Sequence, residues 1–246
     1  KAQFAAAAAL VPASAVPSTY QYMWTTSTAS TADDLGIFSI NNSVARMTVA
    51  DSFDLVNGAY NQIRNNLPFS SVNDPRAPVK SGNAVTPKVV AEDGTTPHFV
   101  QQIWLTRDDP IPMVSGIDAR LIEAEAKLNA NDIPGMMTIL NQLRADRPRI
   151  GIFTPGVMTA IATTPATKDE ATTLFFREKG FWTFGRGQRL GDLRRLIRQY
   201  GRTEDKVFPS GNYFKGGVYG HDVNFPVPDP SEKVNPLFTG CIDRKA

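Results

Sequence analysis

Carboxylates, histidines and arginines are the groups in this sequence able to do chemistry, and their spacing decides how much. Glycoside hydrolysis needs one acid and one base or nucleophile facing each other across a sugar bond. Three acidic pairs are close enough in sequence to be tried in those roles: Asp33 with Asp34, Asp108 with Asp109, and Glu123 with Glu125. The first two fall in polar segments that read as loops, and the third places its members on different sides of a helix. His98 and His221 stand far apart, and with the single cysteine, Cys241, they make no metal-ligand spacing. No Gly-x-Ser-x-Gly elbow anchors a hydrolase triad. The run Gly185-Arg186-Gly187-Gln188-Arg189-Leu190-Gly191 puts glycines ahead of a helix, as phosphate cradles do. It follows a helix rather than a strand, however, and no lysine with Ser or Thr comes after it, so it reads as an interhelical turn. Arg194, Arg195, Arg198 and Arg202 read as a solvated or paired helix face. The residues therefore point to no enzyme, no metal and no cofactor.

Recognition by aromatic rings is what remains. Sugar C–H faces pack on rings while Asn, Asp and Arg satisfy hydroxyls. Tyr20, Tyr22, Trp24, Phe69, Trp104 and the Tyr213, Phe214 and Tyr219 group stand in segments that read as loops. From these, Tyr20, Tyr22, Trp24, Trp104, Tyr213 and Tyr219 are the candidate ligand-binding residues. Trp24 is the first choice for substitution, with an expected loss of about 1–3 kcal/mol of binding if it stacks as aromatic rings do on bases. Core packing competes with binding for every one of these rings. The Tyr213 group, amid Gly211, Gly216 and Gly217, fits a packed C-terminal loop equally well.

The elements that must hold these residues are bounded by composition. A chain of 246 residues can bury a substantial core. Its 26 basic and 24 acidic residues leave a formal charge of +2, which gives no general attraction to nucleic acid. With 18 Gly and 18 Pro, much of it should be ordered loop. One cysteine excludes an intrachain disulfide framework. No apolar run reaches the roughly 18 residues that span a bilayer. Lys1, Phe4 and the alanines that follow imitate a signal peptide, but the alanine-rich centre is only weakly apolar and reads as a helix ending near Pro12.

Residues 27–34 read as loop, 36–40 as a short strand, and 49–60 as a short helix. Prolines and glycines recur through 65–97, which reads as an irregular connection. The strongest pattern starts at Asp118, taken as a helix cap, with Leu121, Ile122 and Leu128 on one stripe. A turn at 129–132 and a second apolar face of Met136, Met137, Leu140 and Leu143 complete a helical hairpin over 118–147. A second helix pair spans 168–201, its later helix starting at Asp192 and ending at Gly201 in the left-handed conformation, and 202–246 is loop-rich. A hairpin cannot bury its face alone. The hairpin and the N-terminal helix should therefore pack against further helices, from a missing N-terminal half or a partner chain.

The succession Phe175-Phe176-Arg177-Glu178-Lys179-Gly180-Phe181-Trp182, Arg189-Leu190-Gly191-Asp192-Leu193-Arg194-Arg195, Pro226-Val227-Pro228 and Asn235-Pro236 resembles the C-terminal part of the SusD/RagB family of nutrient-binding lipoproteins. Leu67-Pro68-Phe69, Asp74-Pro75-Arg76, Ile111-Pro112, Ser115-Gly116 and Ala119-Arg120-Leu121-Ile122-Glu123-Ala124-Glu125-Ala126 resemble earlier family blocks, in family order. The resemblance runs from about residue 67 onward and its blocks read as structural, so it assigns no ligand-contacting residue. It implies a mainly α fold of tetratricopeptide-like hairpins with long irregular loops and little β, as a single domain over 1–246. It also implies a non-enzymatic protein on the extracellular face of the bacterial outer membrane, passing oligosaccharide or another small nutrient to a SusC-like TonB-dependent transporter. Family members are longer and begin with a lipidated cysteine, so the chain is expected to be the C-terminal portion of such a protein. A protein-interaction or self-assembling surface module is the competing expectation.

Overall fold

The computed structural model describes residues 3–30, 33–56, 59–84, 89–219, 223–224, 234 and 236–237, without the side chains of residues 55, 56, 59, 60 and 83. Pro226-Val227-Pro228, Asn235, His221 and Cys241 lie outside the described residues. Helix accounts for 35% and strand for 13%, so the fold is a mixed α/β class and not the mainly helical one expected. The strands form three separate two-stranded antiparallel sheets.

Chain order explains the mixture. Helix α1 (Phe4–Ala9) precedes β1 (Gln21–Trp24). Residues 36–40, expected as a strand, instead enter a wide helical turn at Phe38–Ser43. Long-range bonds outweigh local propensity there. Asn41 Nδ2 donates to the carbonyls of Met47 and Phe99, and its Oδ1 accepts from the Gln101 amide. The helix expected over 49–60 is an antiparallel pair, β2 (Phe53–Val56) with β3 (Ala59–Gln62). Within the irregular stretch 65–97, β4 (Val79–Ser81) pairs with β5 (Phe99–Gln101). Strand β6 (Ile111–Ser115) pairs with β1 and runs into the first long helix.

Four longer helices carry the core: α2 (Gly116–Asn129), α3 (Ile133–Asp146), α4 (Lys168–Trp182) and α5 (Arg189–Arg198). The cap of α2 is Ser115 rather than Asp118. The two form a reciprocal box in which the Asp118 carboxylate accepts from the Ser115 amide and the Ser115 hydroxyl accepts from the Asp118 amide. Likewise α5 begins three residues before Asp192, which lies in its first turn. Gly201 does take the left-handed conformation, with φ of 68°.

Helix α2 packs against α1, α3 and α4. Leu121, Leu128, Met136, Leu140, Leu143, Phe175 and Trp182 fill the interior between the helices. The hairpin's apolar face is thus covered by α4 within the described residues. Helix α1 rests on α2 but buries none of its own residues.

Candidate functional site

The loop that follows α5 is laced onto the β2–β3 pair. Arg64 and Ser210 exchange two backbone hydrogen bonds, and Asn61 Nδ2 donates to the Asn212 carbonyl at 2.7 Å. Asn65 Nδ2 donates to the carbonyls of Asp205 and Phe208. The loop then folds back on itself, the Tyr213 amide donating to Gly217 and the Tyr219 amide to Gly211. The reversal uses Gly216 and Gly217 with φ of 105° and 80°, a region that side-chain-bearing residues avoid. Its product is a ring cluster: Tyr213 lies edge-on to Phe214 at 5.0 Å and to Tyr219 at 5.5 Å.

These three rings border a cleft of about 640 Å³, with Phe53 of β2 and Phe99 of β5 also lining it. Asp51, Asp54, Asn66, Ser70 and Ser71 are among its polar groups, with Thr48 and Thr96, and among the described residues no lysine, arginine or histidine lines it. Asp51 is buried. Its Oδ2 accepts from the Ser70 hydroxyl at 2.5 Å, and its Oδ1 accepts from the Ser71 hydroxyl at 3.0 Å and the Ser52 amide at 2.6 Å. Those donors are pinned, which leaves the serine oxygens to accept. Tyr219 Oη donates to Asp54 at 3.0 Å. Burial, then the charge and hydrogen bond of Asp54, push the Tyr219 phenol well above its ordinary pKa and keep it a neutral donor. Such a wall of rings with fixed hydroxyl and carboxylate partners can hold a neutral polyhydroxylated molecule.

Of the six candidate rings the structure brings together two, Tyr213 and Tyr219. Tyr22 and Trp24 stand on strand β1 rather than in a loop, and Tyr20 immediately precedes it. All three are exposed, Trp24 at 58%, and none borders the cleft. Trp104 occupies a loop as expected but is 0% exposed, a core residue with no face free for a ligand. Phe69 packs on Phe181 and Phe184 at 5.1 and 4.9 Å. Sequence reasoning missed Phe53, Phe99, Asp51, Asp54, Ser70 and Ser71. One available signal was Asn57-Gly58, the dipeptide most favoured between two hairpin strands, which would have placed Phe53 and Asp54 on a strand.

In each acidic pair weighed for catalysis at least one carboxylate has a structural task. Asp34 accepts from Arg107 and Ser39, and Asp109 accepts from the amides of Leu105 and Thr106. Glu123 pairs with Arg120, while Glu125 is held by Arg195 and the Tyr200 hydroxyl. His98 is buried, its Nε2 2.9 Å from the Asn41 carbonyl oxygen. Among the described residues no three His, Cys, Asp or Glu side chains are grouped to hold a metal, and no helix is long and apolar enough to cross a membrane. Comparison of the chain with protein-family models, curated proteins and solved structures gave no match.

Proposed function

We propose that the protein is a non-enzymatic nutrient-binding protein whose cleft beside Tyr213 and Tyr219 holds a neutral oligosaccharide. The observation that carries the reading is the joining of a three-ring cluster to hydroxyl-held Asp51 and Tyr219-bonded Asp54 in one cleft. Rings supply contact for sugar C–H faces, and fixed acceptors satisfy hydroxyls. In this reading, which rests on the sequence resemblance to SusD/RagB proteins, the protein would work at the outer-membrane surface and pass its ligand to a SusC-like TonB-dependent transporter. A panel of neutral oligosaccharides incubated with the protein, followed by chromatography of the sugars, tests the non-enzymatic part. Recovery of intact sugar together with saturable binding supports it; accumulation of cleaved products contradicts it.

A protein-interaction module is the second reading, and one observation favours it. Tyr22, Trp24, Met113 and Val114 are each more than half exposed on the β1–β6 ribbon, an apolar face of the kind that protein partners cover. Alanine substitutions at Tyr22 and Trp24 would weaken co-purification with a transporter under this reading and leave it unchanged otherwise.

A further inference from the structure

A second, smaller cleft of about 260 Å³ shares Thr48, Val49 and Ala50 with the first and lies at the corner between α4 and α5. Its apolar wall comes from Ile37, Met47, Val49, Phe69 and Phe184, and Arg189 also lines it. Arg189 is the first residue of α5. Its guanidinium lies against α4 at Gly180, where an added Cβ would sit 3.5 Å from Nη1. No carboxylate or carbonyl of the described residues accepts a hydrogen bond from it. Asp192 acts on it only through space, since its Oδ1 is engaged by Lys179 at 2.5 Å and by Arg195 at 3.4 Å.

The remaining polar side chains of the cleft are already committed. Thr183 Oγ1 donates to Lys179, and Thr48 Oγ1 donates to Pro97 while accepting from Phe99. Asn41 bonds Met47, Phe99 and Gln101. Gln101 bonds Asn42 and the backbone of Ile103 and Trp104. Among the described side chains of the cleft, Arg189 alone offers free donors. A sugar would find no set of hydroxyl partners here.

We infer that this cleft is a separate binding site for a small monocarboxylate with an apolar body, its carboxylate taken by the Arg189 fork and its body by Phe69, Phe184 and Val49. The planar guanidinium matches a carboxylate with two parallel hydrogen bonds. A phosphate dianion would call for a second cation, and the described residues of the lining include none. The volume lies below the roughly 300–1,000 Å³ of sites for drug-sized ligands, which sets the ligand small. Burial holds the pKa of Arg189 below its ordinary value against the charge of Asp192, the sign of a cation lacking a close counterion.

Calorimetric titration of the intact protein with octanoate and 3-phenylpropionate, beside their neutral amides, tests the assignment. Both acids should bind saturably and more tightly than the amides. Arg189→Met should weaken the acids about 10- to 100-fold, the equivalent of losing a charge-assisted hydrogen-bonded contact, and bring them level with the amides. Arg189→Lys should restore only part of the difference. Met47→Trp, at an exposed position on the cleft wall, should weaken acids and amides alike, and it keeps the test decisive if Arg189→Met does not fold. Absence of saturable binding by either acid, equal affinity for acid and amide, or unchanged affinity in a folded Arg189→Met or Met47→Trp variant would overturn the site.

Discussion

Arg76 and Glu178, 102 residues apart in the chain, meet as a buried ion pair with Nη1 and Oε2 2.6 Å apart. Arg76 is also clasped by Asp74 through Nε and Nη2, and Arg144 adds two hydrogen bonds to Glu178. The guanidinium packs 5.1 Å from the Phe181 ring centre and 5.3 Å from that of Trp182. The pair therefore fastens the irregular segment around residue 76 to α4. Glu178→Gln takes one of two carboxylate partners from buried Arg76, leaving Asp74, and at most about 3–5 kcal/mol of stability should be lost in urea unfolding. A midpoint unchanged from that of the parent protein would remove the pair's structural role.

Acid should act on the same pair. Burial alone would raise the pKa of Glu178, but the hydrogen bonds of Arg144 and the charge and hydrogen bond of Arg76 outweigh it and hold the carboxyl below the ordinary value. A carboxyl depressed in the folded state contributes stability in full above its unfolded pKa of about 4.3 and loses it as pH falls through the folded value. The stability gap between the parent and Glu178→Gln should thus be widest near neutral pH and narrow below about pH 4. A gap independent of pH would contradict the ionised pair.

Gly185 turns the chain out of α4 with φ of 70°. A Cβ added there would lie 2.5 Å from Cζ3 of buried Trp104 and 2.6 Å from Ile37 Cδ1. Gly185→Ala meets both backbone strain and a core clash, so thermal unfolding should report a loss of about 1–3 kcal/mol or more.

The two tryptophans weighed as platforms should separate cleanly. Trp104→Ala empties a fully buried site and should cost about 3–5 kcal/mol. Trp24→Ala removes an exposed ring and should fall within about 0.5 kcal/mol of the parent. Equal losses at the two positions would contradict the placement of either ring.

The helical hairpins were legible because Leu121, Leu128, Met136 and Leu140 repeat at helical spacing and each helix starts with a polar cap. Nothing in local spacing marks residues 36–40 as a helical turn, since the bonds from Asn41 that hold it reach β5, about sixty residues away. The apolar residues at 49–60 fit a short helix as well as a hairpin, and periodicity cannot choose between them over so few residues. The cleft was half legible. Tyr213 and Tyr219 stood out as rings among glycines, whereas Asp51, Ser70 and Ser71 become one polar cluster only through the fold. Trp104 looked like Trp24 in sequence because loop composition does not reveal which loops the core encloses.

The cleft beside Tyr213 is proposed to bind neutral glycan through rings and hydroxyl partners. Titration calorimetry of the parent protein and Tyr213→Ala with the tightest-binding oligosaccharide, at low and at high salt, tests it most directly. The parent should bind with an affinity nearly independent of salt, because no counterion-releasing pair is involved. Tyr213→Ala should weaken binding by about 1–3 kcal/mol, the magnitude of one ring-stacking contact. Undiminished binding by a folded Tyr213→Ala variant, or an affinity that collapses as salt rises, would contradict the claim.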